Sequence, residues 1–325
     1  MQTLFYNTRA YKLLNAETKK NRLAHAYLLL FDDARNLRTA LKTFVKTIFC
    51  TDLEEKKADR ISALIDAESF SDCLFFPAEN GKKFVVEDAE KIAEESALKA
   101  VEGDKKVFVI GDFSEATPAA QNKLLKLLEE PPEGVIFFLG ATTSFSVLST
   151  VLSRVEKLEI NPFSVEEVES ALSRMYEGGR YALNDISLCA AACGGCLGEA
   201  QNSLEGGDSA ALIADAFSLA LAEEKMLPSL VRRLGETKQK KRLLSLLRIV
   251  YRDALLIKEG IEKGVFLTSE KSKLLKLSDK LTVRALLYAQ SRLTEAEREV
   301  FFNAVFPQCL ETLLAAIAKE NQKKE

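Results

Sequence analysis

Histidine and cysteine, which most often bind transition metals or act as nucleophiles, are sparse in this sequence. Its single histidine is His25, so sites that need two or more histidines are excluded. Cys189, Cys193 and Cys196 have the spacing of half a metal site, but no fourth ligand lies nearby, and structural zinc usually takes four protein ligands. We therefore expect these cysteines to pack as small apolar residues, and we predict no metal and no cofactor.

Phosphate chemistry is the next candidate, and the positions of the glycines argue against its commonest form. All 15 glycines lie at or after Gly81, whereas a phosphate-binding loop needs glycine for close backbone approach and positive φ. The nearest fragment of such a loop is Gly81-Lys82-Lys83, which has no glycine upstream. The sequence therefore predicts no nucleotide-binding residues of the usual kind.

Two basic clusters could contact phosphates. One spans residues 238–242, and the other contains Lys271, Lys273 and Lys276. No aromatic residue interleaves the first cluster, so we interpret it as a solvated helix face.

Apolar runs and helix signals place these residues in an α/β arrangement. Continuous apolar runs predict strands that are buried on both faces, and alternation over 155–160 predicts an edge strand. The predicted strands are 26–31, 74–76, 84–86, 106–111, 135–139 and 155–160. Helical patterns lie between them, and Thr117-Pro118 is a helix start. Strands that alternate with helices imply a parallel sheet with right-handed crossovers.

Only helices are predicted after Asn161-Pro162. Ser164 and Glu167 form a capping box that opens the first of three short helices. A linker at 205–208 precedes a helical bundle, and we expect the tail from Lys319 to be frayed. The predicted domains are 1–161, 162–206 and 207–325.

Composition narrows the class of protein. The chain is 47% apolar and 29% charged, with a net charge of −3, which argues against a protein whose whole surface coats nucleic acid. No apolar run approaches the roughly 18 residues of a membrane span, and the first residues do not read as a signal peptide. We expect a cytoplasmic protein with no membrane partner.

An ordered set of motifs resembles the clamp-loader branch of the AAA+ ATPases. The segments that carry the resemblance are 23–28, 106–110, 122–132, 140–143 and 152–154. The resemblance implies a RecA-like α/β domain, a small three-helix lid, and an all-α collar that holds subunits in a ring.

The resemblance also shows where this chain departs from ATP-binding members of the family. The segment in the Walker A position, 31–39, has no glycine and no lysine followed by Ser or Thr. In the Walker B position Gly111 replaces the magnesium-holding aspartate, and Asp112 takes the place of the glutamate as a degenerate remnant. Glu199 stands where a lid arginine would contact nucleotide. The zinc module of the family would start at Cys50, but its partner cysteines are missing.

The element that survives is Ser153-Arg154. In the family this pair precedes an edge strand, and its arginine reaches the ATP site of the neighbouring subunit, where a planar guanidinium can bridge γ-phosphate oxygens. Thr142 and Thr143 stand at the position of the γ-phosphate sensor. With no phosphate to sense, we interpret them as hydroxyls that cap the end of a strand.

The function implied is a non-catalytic subunit of the bacterial replicative clamp loader. Its expected partners are the ATPase subunits and the delta subunit, with the sliding clamp and primer-template DNA reached through the complex. Three alternatives stay open: an active ATPase with an atypical loop, a clamp-opening subunit, and a scaffold or DNA-binding protein without a finger.

Overall fold

The computed structural model describes residues 2–206, 209–223, 225–237, 239–261 and 263–323. The chain forms two compact units that divide between Pro162 and Phe163. The three-domain division stays a prediction, because its second boundary and linker residues 207 and 208 lie outside the described residues. Lys238 of the first basic cluster and residues 324 and 325 of the tail also lie outside them.

One parallel sheet organises the first unit. Its strands are β1 (Ala26–Leu30), β2 (Cys73–Phe76), β3 (Lys106–Asp112), β4 (Val135–Ala141) and β5 (Glu156–Glu159). They pair in the order β2-β3-β4-β1-β5, so the alternating strand β5 lies at an edge as predicted.

Helices cover both faces of this sheet. In chain order they are α1 (Gln2–Tyr6), α2 (Arg9–Lys19), α3 (Leu37–Cys50), α4 (Glu55–Asp66), α5 (Val86–Ser96), α6 (Pro118–Glu129) and α7 (Ser149–Leu152). Phe108 and Phe137 face the side of α5 and α6, where they join a core cluster with Leu124 and Leu128. Phe138 faces the other side, where its ring lies 6.3 Å from that of Phe44 in α3. This double cover explains the continuous apolar runs and confirms the α/β prediction.

The predicted strand 84–86 is wrong. Val86 is the first residue of α5, and Asp88 Oδ2 accepts a hydrogen bond from the Val85 N–H at 3.1 Å. Phe84 is buried against Phe113, with 5.8 Å between ring centroids. The segment is apolar because Phe84 anchors the start of a helix, not because it joins the sheet.

The second unit contains helices and no strand among its described residues. They are α8 (Val165–Met175), α9 (Leu183–Ala192), α10 (Leu197–Gly206), α11 (Ser209–Leu221), α12 (Leu227–Leu234), α13 (Lys240–Lys258), α14 (Lys271–Lys280), α15 (Val283–Phe301) and α16 (Phe306–Asn321). The capping box of Ser164 and Glu167 is confirmed, since each side chain bonds the backbone N–H of the other. Across the described ranges, no helix is long and apolar enough to span a membrane.

Candidate functional site

The loop between β1 and α3, in the Walker A position, is closed by its own side chains. Asp33 and Asn36 are almost fully buried, whereas Asp32 is exposed. The Asp33 carboxylate accepts hydrogen bonds from the Asn36 backbone N–H at 3.1 Å and from Asn36 Nδ2 at 2.7 Å. The carboxylate therefore lies just ahead of the N-terminal end of α3, the place where a phosphate would bind in a nucleotide-binding loop.

A cavity of about 230 Å³ lies beside this loop and the end of β3. Ligand pockets commonly measure about 300–1,000 Å³, so it is small for a nucleotide. Arg38 lines the cavity, but its Nε donates to Glu68 Oε1 at 2.7 Å and its Nη1 to the Pro77 carbonyl at 3.2 Å. Burial would raise the pKa of Glu68, but hydrogen bonds from Arg38 and Lys42 outweigh it and lower that pKa. Arg38 therefore stabilises the cavity wall, since its hydrogen bonds join α3 to Glu68 and to the Pro77 carbonyl.

The Gly81-Lys82-Lys83 fragment also lines this cavity. Lys82 pairs with Glu79 and Lys83 with Glu115, each at 2.8 Å. Both pairs are exposed, so solvent screens them. These lysines do not replace the missing lysine of a phosphate-binding loop, because they lie between β2 and α5 and not in the loop between β1 and α3.

Asp112 and Thr142, predicted remnants of the Walker B and sensor positions, contact each other at the ends of β3 and β4. Asp112 Oδ1 accepts from the Thr142 N–H at 3.2 Å, and Oδ2 accepts from Thr142 Oγ1 at 3.0 Å. Ser114 adds its backbone N–H at 3.1 Å and its hydroxyl to the same carboxylate. With four donors bound, this carboxylate links two neighbouring strands.

Thr143, the second predicted sensor remnant, caps a turn. Its Oγ1 accepts from the backbone N–H of Phe145 at 3.3 Å. The interpretation of Thr142 and Thr143 as strand-end capping hydroxyls stays a prediction; in the structure their hydroxyls contact Asp112 and the Phe145 N–H. Phe145 is 80% exposed, the highest value among the large exposed apolar side chains of the described residues.

Arg154 follows α7, and three groups bind its guanidinium. Its Nη1 donates to the Thr150 carbonyl at 2.8 Å and to Ser153 Oγ at 3.1 Å, and its Nη2 pairs with Glu129 Oε1 at 2.7 Å. Ser153 Oγ in turn donates to the Thr150 carbonyl at 3.0 Å. The Arg154 side chain is one-third exposed, and these contacts hold it in a defined position.

Gln121 connects α6 to the loop that leads to α7. It is almost fully buried; its Nε2 donates to the carbonyls of Ser146, at 3.0 Å, and Ala116, at 3.3 Å. Its Oε1 accepts from the Leu148 N–H at 2.9 Å. Gln121 therefore positions the segment that carries Ser153 and Arg154.

The predicted site residues form two separate sets of contacts. Asp112 bonds with Thr142, whereas the contacts of Arg154 are with Ser153, Thr150 and Glu129. Sequence reasoning missed Gln121 and Glu129. Gln121 had a visible signal, since it is a polar residue in line with Leu124 and Leu128 on the core side of α6. Glu129 had none, because its partner comes from a distant part of the chain.

Three cysteines of the second unit lie in or after α9, and the fourth, Cys309, lies in α16. Cys189 and Cys193 are buried, and Cys193 Sγ donates to the Ala190 carbonyl at 3.1 Å. Burial raises the pKa of the Cys193 thiol to about 11. Among the described residues, no group of three or more His, Cys, Asp or Glu side chains could hold a metal ion.

We expect purified protein to contain far less than one zinc per chain. Zinc binds thiolates, and the raised pKa of Cys193 keeps its sulfur protonated near neutral pH. Elemental analysis after gel filtration measures this directly, with Cys193→Ala as the control. One zinc per wild-type chain, lost in Cys193→Ala, would contradict the prediction.

The first unit is similar in sequence to known proteins. The family described as "DNA polymerase III, delta subunit" matches residues 6–164. A DNA polymerase III subunit delta' of Bacillus subtilis is 28% identical over 166 residues, 50% of each chain. One of Haemophilus influenzae is 31% identical over 134 residues, 41% of each chain. The chain is therefore similar to DNA polymerase III delta and delta' subunits. It spans about half the length of these relatives.

Other DNA polymerase III subunits are also similar to this chain. A DNA polymerase III subunit tau/gamma of Haemophilus influenzae is 27% identical over 179 residues, 52% of this chain and 25% of that protein. The crystal structure of a gamma subunit-related protein from Thermotoga maritima aligns with a TM-score of 0.39 and 17% identity, covering 96% of this chain and 100% of that one. The resemblance that the ordered motifs predict is confirmed by the matches to the family model and to the two delta' subunits.

Proposed function

We propose that this chain is a delta-prime-type subunit of the bacterial replicative clamp loader, that it binds no nucleotide, and that it supplies Arg154 to the ATP site of a neighbouring subunit. The similarity of residues 6–164 to the DNA polymerase III delta family supports its place in a clamp loader. The finger role is carried by one observation. Arg154 is fixed at the surface by Thr150, Ser153 and Glu129, away from the contacts of Asp112.

A surface arginine in a defined position suits action on another subunit. A planar guanidinium can bridge two oxygens of a transferring γ-phosphate and stabilise the charge that develops there. Fixing the side chain in advance lowers the conformational entropy lost when it engages the phosphate. Glu129 would be exchanged for the phosphate when the neighbour docks.

The remnants of a nucleotide site support a role without ATP binding. The Asp33 carboxylate lies just ahead of the N-terminal end of α3, where its charge would repel a phosphate. Asp112 is committed to Thr142 and Ser114. Together with the missing glycines and lysine, these contacts favour a silent subunit over an active ATPase with an atypical loop.

The partners follow from this role. The ATPase subunits and the delta subunit would be neighbours in the ring, and the sliding clamp and primer-template DNA would be reached through the assembled complex. The decisive test of the finger is the replacement of Arg154 in that complex, with DNA-stimulated ATP hydrolysis as the measurement.

We expect the isolated protein to show no saturable ATP binding in the micromolar range. The glycines and the lysine with which P-loop proteins hold β- and γ-phosphates are missing from residues 31–39, and the Asp33 carboxylate accepts a hydrogen bond from the Asn36 N–H just ahead of α3. Titration with a fluorescent ATP analogue, followed by competition with unlabelled ATP, measures the affinity. A well-fitted micromolar isotherm that unlabelled ATP displaces would favour the atypical ATPase instead.

A further inference from the structure

A cavity of about 680 Å³ opens in the second unit, beside the first turn of α13 and the end of α15. Its wall includes Lys240, Lys241 and Arg242 of α13, Asn303 from the turn after α15, and Glu199 of α10. Three cations against one carboxylate give this wall a net positive charge. The finger role uses none of these residues.

The three cations lie in the first turn of α13, where the partial charge of the helix is also positive. The N-terminal end of a helix carries partial positive charge and favours acidic side chains, yet α13 has no acidic residue in its first turn. Two other cations of this unit are paired: Arg248 lies 2.8 Å from Glu297, and Arg284 lies 2.6 Å from Glu320. An anion in the cavity would offset both the helix field and the side-chain charges.

Lys240 and Lys241 have no carboxylate partner within the described ranges of the chain. The Lys240 ammonium lies 5.9 Å from the ring centroid of Phe306, a contact that uses none of its three N–H donors. Arg242 Nη1 donates to Gln239 Oε1 at 2.8 Å, which fixes the arginine at the wall. The lysine donors can therefore bind oxygens of a ligand.

An exposed aromatic ring lies in the segment that borders the same cavity. Phe302 follows α15 directly and is 66% exposed, between the cavity residues Val300 and Asn303. The turn there is fixed, because Asn303 has φ +59° and the Ala304 N–H bonds the Glu299 carbonyl at 3.0 Å. The ring is therefore presented from a defined turn.

We propose that this surface, Lys240, Lys241, Arg242 and Phe302, binds single-stranded DNA. Cations in a cavity wall and an exposed aromatic ring in a segment that borders the same cavity are the two kinds of group in a single-strand site: the cations would contact successive phosphates, and an unpaired base would stack on the ring. Duplex DNA fits less well, because its bases are already stacked. The proposal does not depend on the role of Arg154.

The test is fluorescence anisotropy of a labelled oligothymidylate of about 15 nucleotides, titrated with the full chain at several salt concentrations. The triple variant Lys240→Gln/Lys241→Gln/Arg242→Gln should weaken binding about tenfold or more at low salt. It should also reduce the slope of log K against log salt by about 2, since each single-strand phosphate contact contributes about 0.7. Phe302→Ala should weaken binding about fivefold without changing that slope.

The matched control removes the same charge from α14. Lys271→Gln/Lys273→Gln/Lys276→Gln changes the net charge from −3 to −6, as does the test triple, because each removes three cations. Lys273 already pairs with Glu270 at 2.7 Å, so we expect less than about a threefold change. Circular dichroism confirms folding, and the single variant Lys241→Glu repeats the test with one exposed residue.

Three results would overturn the proposal. Equal weakening by the two triples would mean that only overall charge matters. Equal affinity for duplex, with no effect of Phe302→Ala, would exclude recognition of a single strand. Displacement of the oligonucleotide by polyglutamate at equal charge concentration would identify an acidic protein segment as the ligand instead.

Discussion

In a reconstituted clamp loader with clamp and primed DNA, Arg154→Ala should lower steady-state ATP hydrolysis by the share of one ATP site. Arginine fingers in phosphoryl-transfer systems contribute about 10³–10⁵-fold at their own site, so that site should fall silent while sites with other arginines continue. Folding should change by less than about 1 kcal/mol, because the ion pair of Arg154 with Glu129 is partly exposed.

Two further variants separate a finger from a structural arginine. Arg154→Lys should restore little activity, because an ammonium cannot bridge two phosphate oxygens. Arg60→Ala is the matched control, since Arg60 is also an exposed arginine with a glutamate partner, Glu102 at 2.8 Å. An unchanged rate for Arg154→Ala in a fully assembled complex would remove the finger role.

Asp112→Ala should lower the free energy of unfolding by about 2–3 kcal/mol. The carboxylate accepts hydrogen bonds from the backbone N–H groups of Ser114 and Thr142 and from both of their hydroxyls. Removing the acceptor from partly buried donors costs about 1–3 kcal/mol, more when several donors lose it together. Urea denaturation of the isolated protein, monitored by far-UV circular dichroism, gives the difference.

The matched control for Asp112 is Asp104→Ala. Asp104 is highly exposed and pairs with its neighbour Lys105, so its loss should change stability by less than about 0.5 kcal/mol. Thr142→Val combined with Asp112→Ala measures the coupling between the two side chains. If Asp112→Ala left stability unchanged but lowered ATP hydrolysis in the complex, Asp112 would act on water, as the glutamate it replaces does in the family.

The sheet could be predicted from the sequence because its local signals agree. β1, β3 and β4 have continuous apolar runs because they are buried on both faces, and β5 alternates because it lies at an edge. Residues 84–86 misled the prediction because a short apolar segment does not say whether it pairs with a strand or anchors a helix. The helix α7 has only four residues, too few to show a period.

The contacts of the site could not be predicted in the same way. Asp112 and Thr142 lie thirty positions apart in the chain, and only the parallel pairing of β3 with β4 brings them together. Glu129 and Arg154 are separated in the chain by β4 and α7, so no spacing in the sequence indicates their contact. Sequence reasoning identified these residue types and their likeness to a family, and the fold decided which of them touch.

The closed loop between β1 and α3 has a thermodynamic consequence. A protein that binds ATP becomes more stable as the ATP concentration rises, because each bound ligand draws the equilibrium toward the folded state. Asp33 is an anion that belongs to the chain itself, so it is present beside α3 at every ATP concentration. In the proposed ring, the free energy of unfolding of this unit would stay constant while the neighbouring subunits bind and release nucleotide. Arg154 would therefore be held by a subunit whose stability ATP hydrolysis does not change.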